Sequence, residues 1–295
     1  MAMINLPPLA CDCHVHVVCP QSLYPMIADR QYTAPVASVD DLRQHLLHVG
    51  LQRAVIVQPS FYGVDNRCLL DSLKQLGGAG RGVAVLDPSI SDEDLRTLSQ
   101  AGIRGIRINV ESSHGRNPEE LQHALKFWAT KIAFLRWHIQ LFASEVLIQQ
   151  CADTIKQLAV HVVLDHFSLL PSDLATNSAG SAELSCIIDL LASGNVWLKL
   201  SAPYRLPKID AGAPSDTSQL AKYLLAVNAQ RIVWASDWPH TQREKGKTPL
   251  QESAYRQISA ESLNEQIQTW LPTVALRQTV LVDNPAVLYV YDAGS

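Results

Sequence analysis

Residues 81–109 read RGVAVLDPSISDEDLRTLSQAGIRGIRIN, and this stretch contains a complete strand–helix–strand unit. RGVAV is short and apolar on both faces, which predicts a buried strand. The following SDED places Ser91 as an N-cap with acids in the first helical turn, and Gly102 stands where a helix C-cap belongs. IRGIRIN then resumes the strand pattern. Two strands linked through one helix run parallel, because only a crossover of this length returns the chain to the same end of a sheet.

The same alternation extends in both directions. Strand-like runs begin near residues 10 (ACDCHVHVV), 53 (RAVIVQPS), 81, 103, 138 (HIQLFA), 161 (HVVLDHF), 196 (VWLKLS) and 231 (RIVWASDW), with helical spacing between them, as in SVDDLRQHLLHVG ending at Gly50. Eight such repeats predict an α/β fold, a closed (β/α)8 TIM barrel, with residues 1–295 as one domain. An open doubly wound sheet is the alternative, but no GxGxxG follows an early strand.

Composition narrows the class of partner. The chain is 47% hydrophobic and 18% charged with a formal net charge of −4, which fits a sizeable core and gives no basic surface for nucleic acid or anionic membrane. No apolar run reaches the ~18 residues of a spanning helix, and MAMINLPPLA lacks the basic-then-apolar order of a secretion signal. A cytoplasmic protein acting on a small molecule is the expectation, and nothing in the sequence assigns an oligomeric state. The six cysteines form no CxxC, so reduced, packed thiols are expected rather than disulfides.

In a barrel of this type chemistry collects at the C-terminal ends of the strands. Polar residues fall there: His14 and His16 after strand one, Ser60 after two, Arg107 in four, Asp165 and His166 after six, Lys199, Ser201, Tyr204 and Arg205 in and beyond seven, and Asp237 and His240 after eight. The strand middles read as Val, Ile, Leu and Ala. Period-two alternation would put Asp12, His14 and His16 on one face and turn Cys11 and Cys13 away from the histidines.

An HxH on strand one, a histidine after strand six and an aspartate ending strand eight resemble the amidohydrolase superfamily. DCHVH, VQPSFYGVDN, VVLDHF, YRL and WASDWPHT resemble its branch of 2-pyrone-4,6-dicarboxylate hydrolases and related sugar-lactone hydrolases and isomerases. The resemblance implies a lactone hydrolase with His14, His16, His166 and Asp237 as catalytic residues, and it implies substrate contacts at Ser60 and Tyr32. Many amidohydrolases bridge two metals through a carboxylated lysine on strand four, but Arg107 occupies that position and cannot be carboxylated in the same way. One zinc or manganese held by His14, His16, His166 and Asp237 is chemically reasonable, and metal use varies in this branch.

A metal-free route can also be written from the residues: Asp237 takes a proton from water, and the three imidazoles donate to the developing oxyanion. Arg107 and Arg205 present paired donors suited to a carboxylate, so the expected substrate is a small anionic lactone. Lys199 is expected to pair with a carboxylate inside the barrel; His240 either shapes its loop or assists catalysis. Ser113, Phe142 and Leu169 stand where the pyrone-dicarboxylate hydrolases carry further polar donors, which favours a less charged lactone. A lactone isomerase, a zinc-dependent decarboxylase of the same superfamily and a catalytically silent acid-binding barrel are the competing readings.

Overall fold

The computed structural model describes residues 5–111, 117–172, 181–207 and 217–291. Its eight strands are β1 (Cys11–Val15), β2 (Arg53–Val57), β3 (Gly80–Ala84), β4 (Ile103–Asn109), β5 (His138–Phe142), β6 (Val162–Leu164), β7 (Val196–Ser201) and β8 (Ile232–Ala235). They lie in sequence order in one sheet, and each pairs in parallel with the next. The seam closes where Val15 bridges Trp238 in parallel, His16 N donates to Trp238 O (2.8 Å) and Asp237 N donates to His14 O (3.0 Å). The (β/α)8 barrel expected from the sequence is therefore the fold.

Local chemistry accounts for the helix boundaries. Helix α1 (Val39–Val49) opens on a reciprocal capping box between Ser38 and Asp41 and stops at Gly50, whose φ of 91° is left-handed. Helix α2 spans Arg67–Leu76. Helix α3 (Asp92–Gln100) starts at Ser91, whose side chain accepts from Asp94 N, and carries acids at 92, 93 and 94 where the helix dipole favours them.

Two apolar layers hold the barrel. The outer one lies between strands and helices; the inner one consists of Cys11, Cys13, Val55, Val57, Val83, Val163, Trp197, Val233 and Ala235. Leu288, Tyr289 and Tyr291 join the inner layer from the end of the chain. The Tyr291 ring is flanked by the guanidinium groups of Arg53 (4.6 Å) and Arg81 (4.4 Å), and its hydroxyl donates to Ala54 O (3.0 Å). The C-terminal segment thus plugs the N-terminal end of the barrel, leaving the other end for chemistry.

Three expectations are corrected here. Cys11 and Cys13 face the barrel interior while Asp12 points outward, its Oδ1 accepting from Ser236 N (3.0 Å) and its Oδ2 lying 3.3 Å from His45 Nε2 on α1. The cause is a register shift between Asp12 and Val15; an irregularity of this kind breaks strict alternation and re-aims the side chains beyond it. Cys19 and Cys68 are bonded as a disulfide, with Cα atoms 6.3 Å apart, because the fold brings the segment after β1 against the start of α2; Cys11, Cys13, Cys151 and Cys186 are free. The strand middles are not wholly apolar either, since Gln140 in β5 and Lys199 in β7 are both fully buried.

Candidate active site

The polar cluster sits at the C-terminal rim. Several of its residues adopt left-handed φ without being glycine: His166 (49°), Phe167, Ser168 and Leu169 after β6, Ala202 (46°) after β7, and Asp237 (64°) and His240 (67°) after β8. Such conformations cost on the order of 1–3 kcal/mol each and persist only where surrounding bonds impose them. Their concentration at one rim marks it as the place where the backbone is bent to aim side chains.

Three imidazoles converge on one carboxylate oxygen. Asp237 Oδ1 lies 3.7 Å from His14 Nε2, 3.6 Å from His16 Nε2 and 4.0 Å from His166 Nε2, while the His14 and His16 Nε2 atoms are 3.3 Å apart. Each ring is oriented from behind. His16 Nδ1 donates to Val57 O (2.7 Å), His166 Nδ1 is 2.8 Å from Ser201 Oγ, and His14 Nδ1 lies 3.3 Å from both Lys199 Nζ and Asp165 Oδ1. Asp237 Oδ2 accepts from Tyr204 Oη (2.8 Å) and Arg205 Nε (2.7 Å), whereas its buried Oδ1 has no hydrogen-bond partner among the described residues.

Burial and charge set the protonation states. Burial pushes the Asp237 carboxyl up, but Arg205 and the facing imidazoles outweigh it and hold the group well below the usual range. Burial, followed by the Lys199 charge, drives His14 well below its ordinary value; burial brings His166 down to about 4. At neutral pH the site therefore presents an aspartate anion facing uncharged His14 and His166.

Beneath this cluster Asp165, which the sequence places at the rim without a role, is a hub. Its Oδ2 accepts from Arg107 Nε (3.3 Å) and Nη2 (3.1 Å) and from Gln140 Nε2 (3.0 Å), and its Oδ1 is 3.5 Å from Lys199 Nζ. Lys199 Nζ in turn donates to Gln140 Oε1 (2.7 Å). Burial again raises the Asp165 carboxyl, and Lys199, His14 and Arg107 overcome it to keep it ionised. Lys199 thus pairs with a carboxylate as expected. The signal for Asp165 and Gln140 was present as polar residues in strands whose neighbours are apolar on both faces.

The candidate substrate residues are placed as follows. Arg107 and Ser60 line a cavity of about 480 Å³ together with Ile27, Arg30, Gln58 and Asn109. Arg107 is at the same time bonded to Asp165, and Arg205 to Asp237 and Thr241. Tyr32 packs edge-on to Phe61 at 5.5 Å and feels the charges of Arg205, Asp237 and Arg107. His240 is buried with Nδ1 3.4 Å from Tyr204 Oη, and Phe142 stands edge-on to His166 at 5.2 Å. Ser113 lies outside the described residues.

His14, His16 and Asp237 present their ligand atoms within 4.8 Å of one another, and His166 Nε2 is the fourth donor facing Oδ1. Three nitrogens and an orphaned carboxylate oxygen at these separations suit one divalent ion. A second grouping of His14, Asp165 and His166 is similarly compact, but its carboxylate is already engaged by Arg107, Gln140 and Lys199.

The family model described as Amidohydrolase matches residues 11–290. This chain belongs to the amidohydrolase family. It is 33% identical to the 2-pyrone-4,6-dicarboxylate hydrolase of Comamonas testosteroni over 97% of this chain and 91% of that one. It is 26% identical to the 4-sulfomuconolactone hydrolase of Hydrogenophaga intermedia, covering 96% and 89%. Among solved structures, one from Agrobacterium tumefaciens superposes with a TM-score of 0.80 at 22% identity, covering 98% of each chain, and shares the fold of this amidohydrolase. No described helix is long and apolar enough to cross a membrane.

Proposed function

We propose that this amidohydrolase opens a carboxylated lactone by attack of water on the ring carbonyl. The observation that carries the reading is the bare Oδ1 of Asp237, buried and faced by three imidazole nitrogens, with a guanidinium group bonded to the far oxygen of the same carboxylate. The names of the two relatives, a hydrolase of 2-pyrone-4,6-dicarboxylate and one of 4-sulfomuconolactone, support the same class.

Water at Oδ1 gives up a proton to Asp237, and the hydroxide forms a C–O bond to the lactone carbonyl. The carbonyl oxygen becomes an oxyanion, which an N–H at Nε2 of His14 or His166 stabilises; His16, whose Nδ1 proton is committed to Val57 O, donates from Nε2 only as imidazolium. Collapse breaks the ring C–O bond, and Asp237 returns its proton to the departing enolate or alkoxide. The new carboxylic acid then ionises in water. Arg107 and Arg205 orient the substrate carboxylate, and Ser60 and Tyr32 contact the ring from the sides. A zinc or manganese ion held by His14, His16, His166 and Asp237 would supply Lewis-acid polarisation of the same carbonyl.

The test is a ring-opening assay on 2-pyrone-4,6-dicarboxylate, muconolactones and aldaric-acid monolactones, followed by acid release with and without a chelator. Opening of at least one, lost in Asp237→Asn, supports the reading. A folded protein that opens none, or that only rearranges a lactone without releasing acid, rejects hydrolysis.

A further inference from the structure

Hydrogen-bond directions around the two HxH rings are fixed by their outer partners. Val57 O only accepts, so His16 Nδ1 carries a proton, and in the single-proton form of that ring Nε2 is a lone pair. His14 Nε2 lies 3.3 Å from that lone pair and must therefore be the donor, which leaves His14 Nδ1 bare. Two groups face this bare nitrogen at 3.3 Å, Lys199 Nζ and Asp165 Oδ1. Only the ammonium can match a lone pair. Consistently, Asp165 Oδ1 is buried without a hydrogen-bond partner among the described residues, while Lys199 is anchored by Gln140 Oε1 at 2.7 Å. The result is one directional chain, Lys199 to His14 to His16 to Val57 O, with Lys199, His14 and Asp165 all at least nine-tenths buried.

We propose that Lys199 is a positioning residue that fixes the His14 proton on Nε2, and thereby sets how tightly the histidine–aspartate cluster holds a divalent cation. With Lys199 in place the His14 Nε2–H is engaged by His16 Nε2, and His14 presents no lone pair to a cation there. Ligation through His14 Nε2 requires that its single proton move to Nδ1. There the orphaned Asp165 Oδ1 is the acceptor, at 3.3 Å, and the Lys199 N–H loses its partner. The ring is a bistable element whose two tautomers are stabilised by different neighbours, the ammonium for the cation-free form and the carboxylate for the loaded form. The inference rests on the donor set of the proposed function and not on which lactone is opened.

Cation affinity tests this without substrate. Wild type and Lys199→Met, which keeps the side-chain length and leaves Asp165 bonded to Arg107 and Gln140, are titrated with zinc in competition with a chromophoric chelator. The variant is expected to bind one zinc at least about ten-fold more tightly, and unchanged or weaker binding by a folded variant overturns the proposal. Long-range ¹H–¹⁵N spectra of the wild type are read whether or not the variant folds, because removing a buried positive charge would tighten cation binding by itself. Nε2–H at His14 with Nδ1–H at His16 in the cation-free protein, changing to Nδ1–H at His14 on zinc saturation, is the expected result. A His14 that carries its proton on Nδ1 before zinc is added, or keeps it on Nε2 afterwards, overturns it. A protein that shows these tautomers and affinities but opens no lactone would remove the hydrolase reading alone.

Discussion

Arg205 Nε donates to Asp237 Oδ2 at 2.7 Å, so the cation that the sequence offers to a substrate carboxylate already holds the candidate base. The guanidinium group also reaches the backbone and hydroxyl oxygens of Thr241, both at 3.1 Å, which fixes its plane. On the proposed reading this one residue would couple substrate charge to the placement of the base. Arg205→Met is expected to raise KM for an anionic lactone and to lower kcat as well. A change in KM alone would show that Asp237 is positioned without it.

Asp237→Asn keeps an oxygen and an NH2 of similar shape but removes the proton acceptor. General-base catalysis typically contributes about 10²–10⁴-fold, and a kcat loss of that order is expected with an unaltered far-ultraviolet dichroism spectrum. Turnover within a few-fold of wild type would mean that another group activates water.

Arg107 adds a buried ion pair with Asp165 to the anion contact expected from the sequence. Its position in β4 and its place on the cavity wall fit an anion contact, yet Nε and Nη2 are spent on Asp165. Arg107→Met is therefore expected to raise KM and also to destabilise the fold, because removing one partner of a buried pair costs roughly 3–5 kcal/mol; Lys199 and Gln140 temper that loss. Denaturant midpoints and Michaelis constants on the same preparations separate the effects. An unchanged KM would move the anion contact elsewhere.

The barrel was legible because β-branched runs and capped helices such as Ser91–Gly102 repeat with a short period, and each carries its own local signal. His14, His16, His166 and Asp237 were legible because they end strands, where a buried polar group needs a reason. What stayed hidden depended on contacts across the barrel. The re-aiming of β1 comes from pairing with its neighbours, not from its own residues. Asp165 and Gln140 acquire meaning only when β5, β6 and β7 bring them to Lys199. The Cys19–Cys68 bond joins positions separated by 49 residues, a pairing that spacing alone does not encode.

Tyr291 offers a test of the plug. Its ring lies between Arg53 and Arg81 at the end of the barrel remote from the imidazoles, so Tyr291→Ala removes packing and two cation–π contacts without touching the rim. A loss of about 3–5 kcal/mol, as for other large-to-small aromatic changes, with kcat retained below the melting range, is the expected outcome. A stability within about 1 kcal/mol of wild type would mean that the segment is not part of the closing core.

Acid should weaken the fold in two stages. His166 and His240 titrate near 4 in the folded protein against an ordinary 6.5, chiefly through burial. Between those values the unfolded chain binds protons that the folded one does not, so stability declines as pH falls through about 6.5 and stops declining on this account near 4. Each unit of separation is worth about 1.4 kcal/mol per group at most. Asp165 and Asp237, held low by their cationic neighbours, add stability that is complete above the ordinary carboxylate range and is lost only as pH drops toward their folded values. Urea midpoints measured from about pH 7.5 to about pH 5 should therefore fall before Asp165 or Asp237 protonates, and His166→Gln should flatten part of that slope. Midpoints that stay level over this interval would show that the buried imidazoles are already charged in the native protein, and with them the uncharged donors assigned to the oxyanion would have to be abandoned.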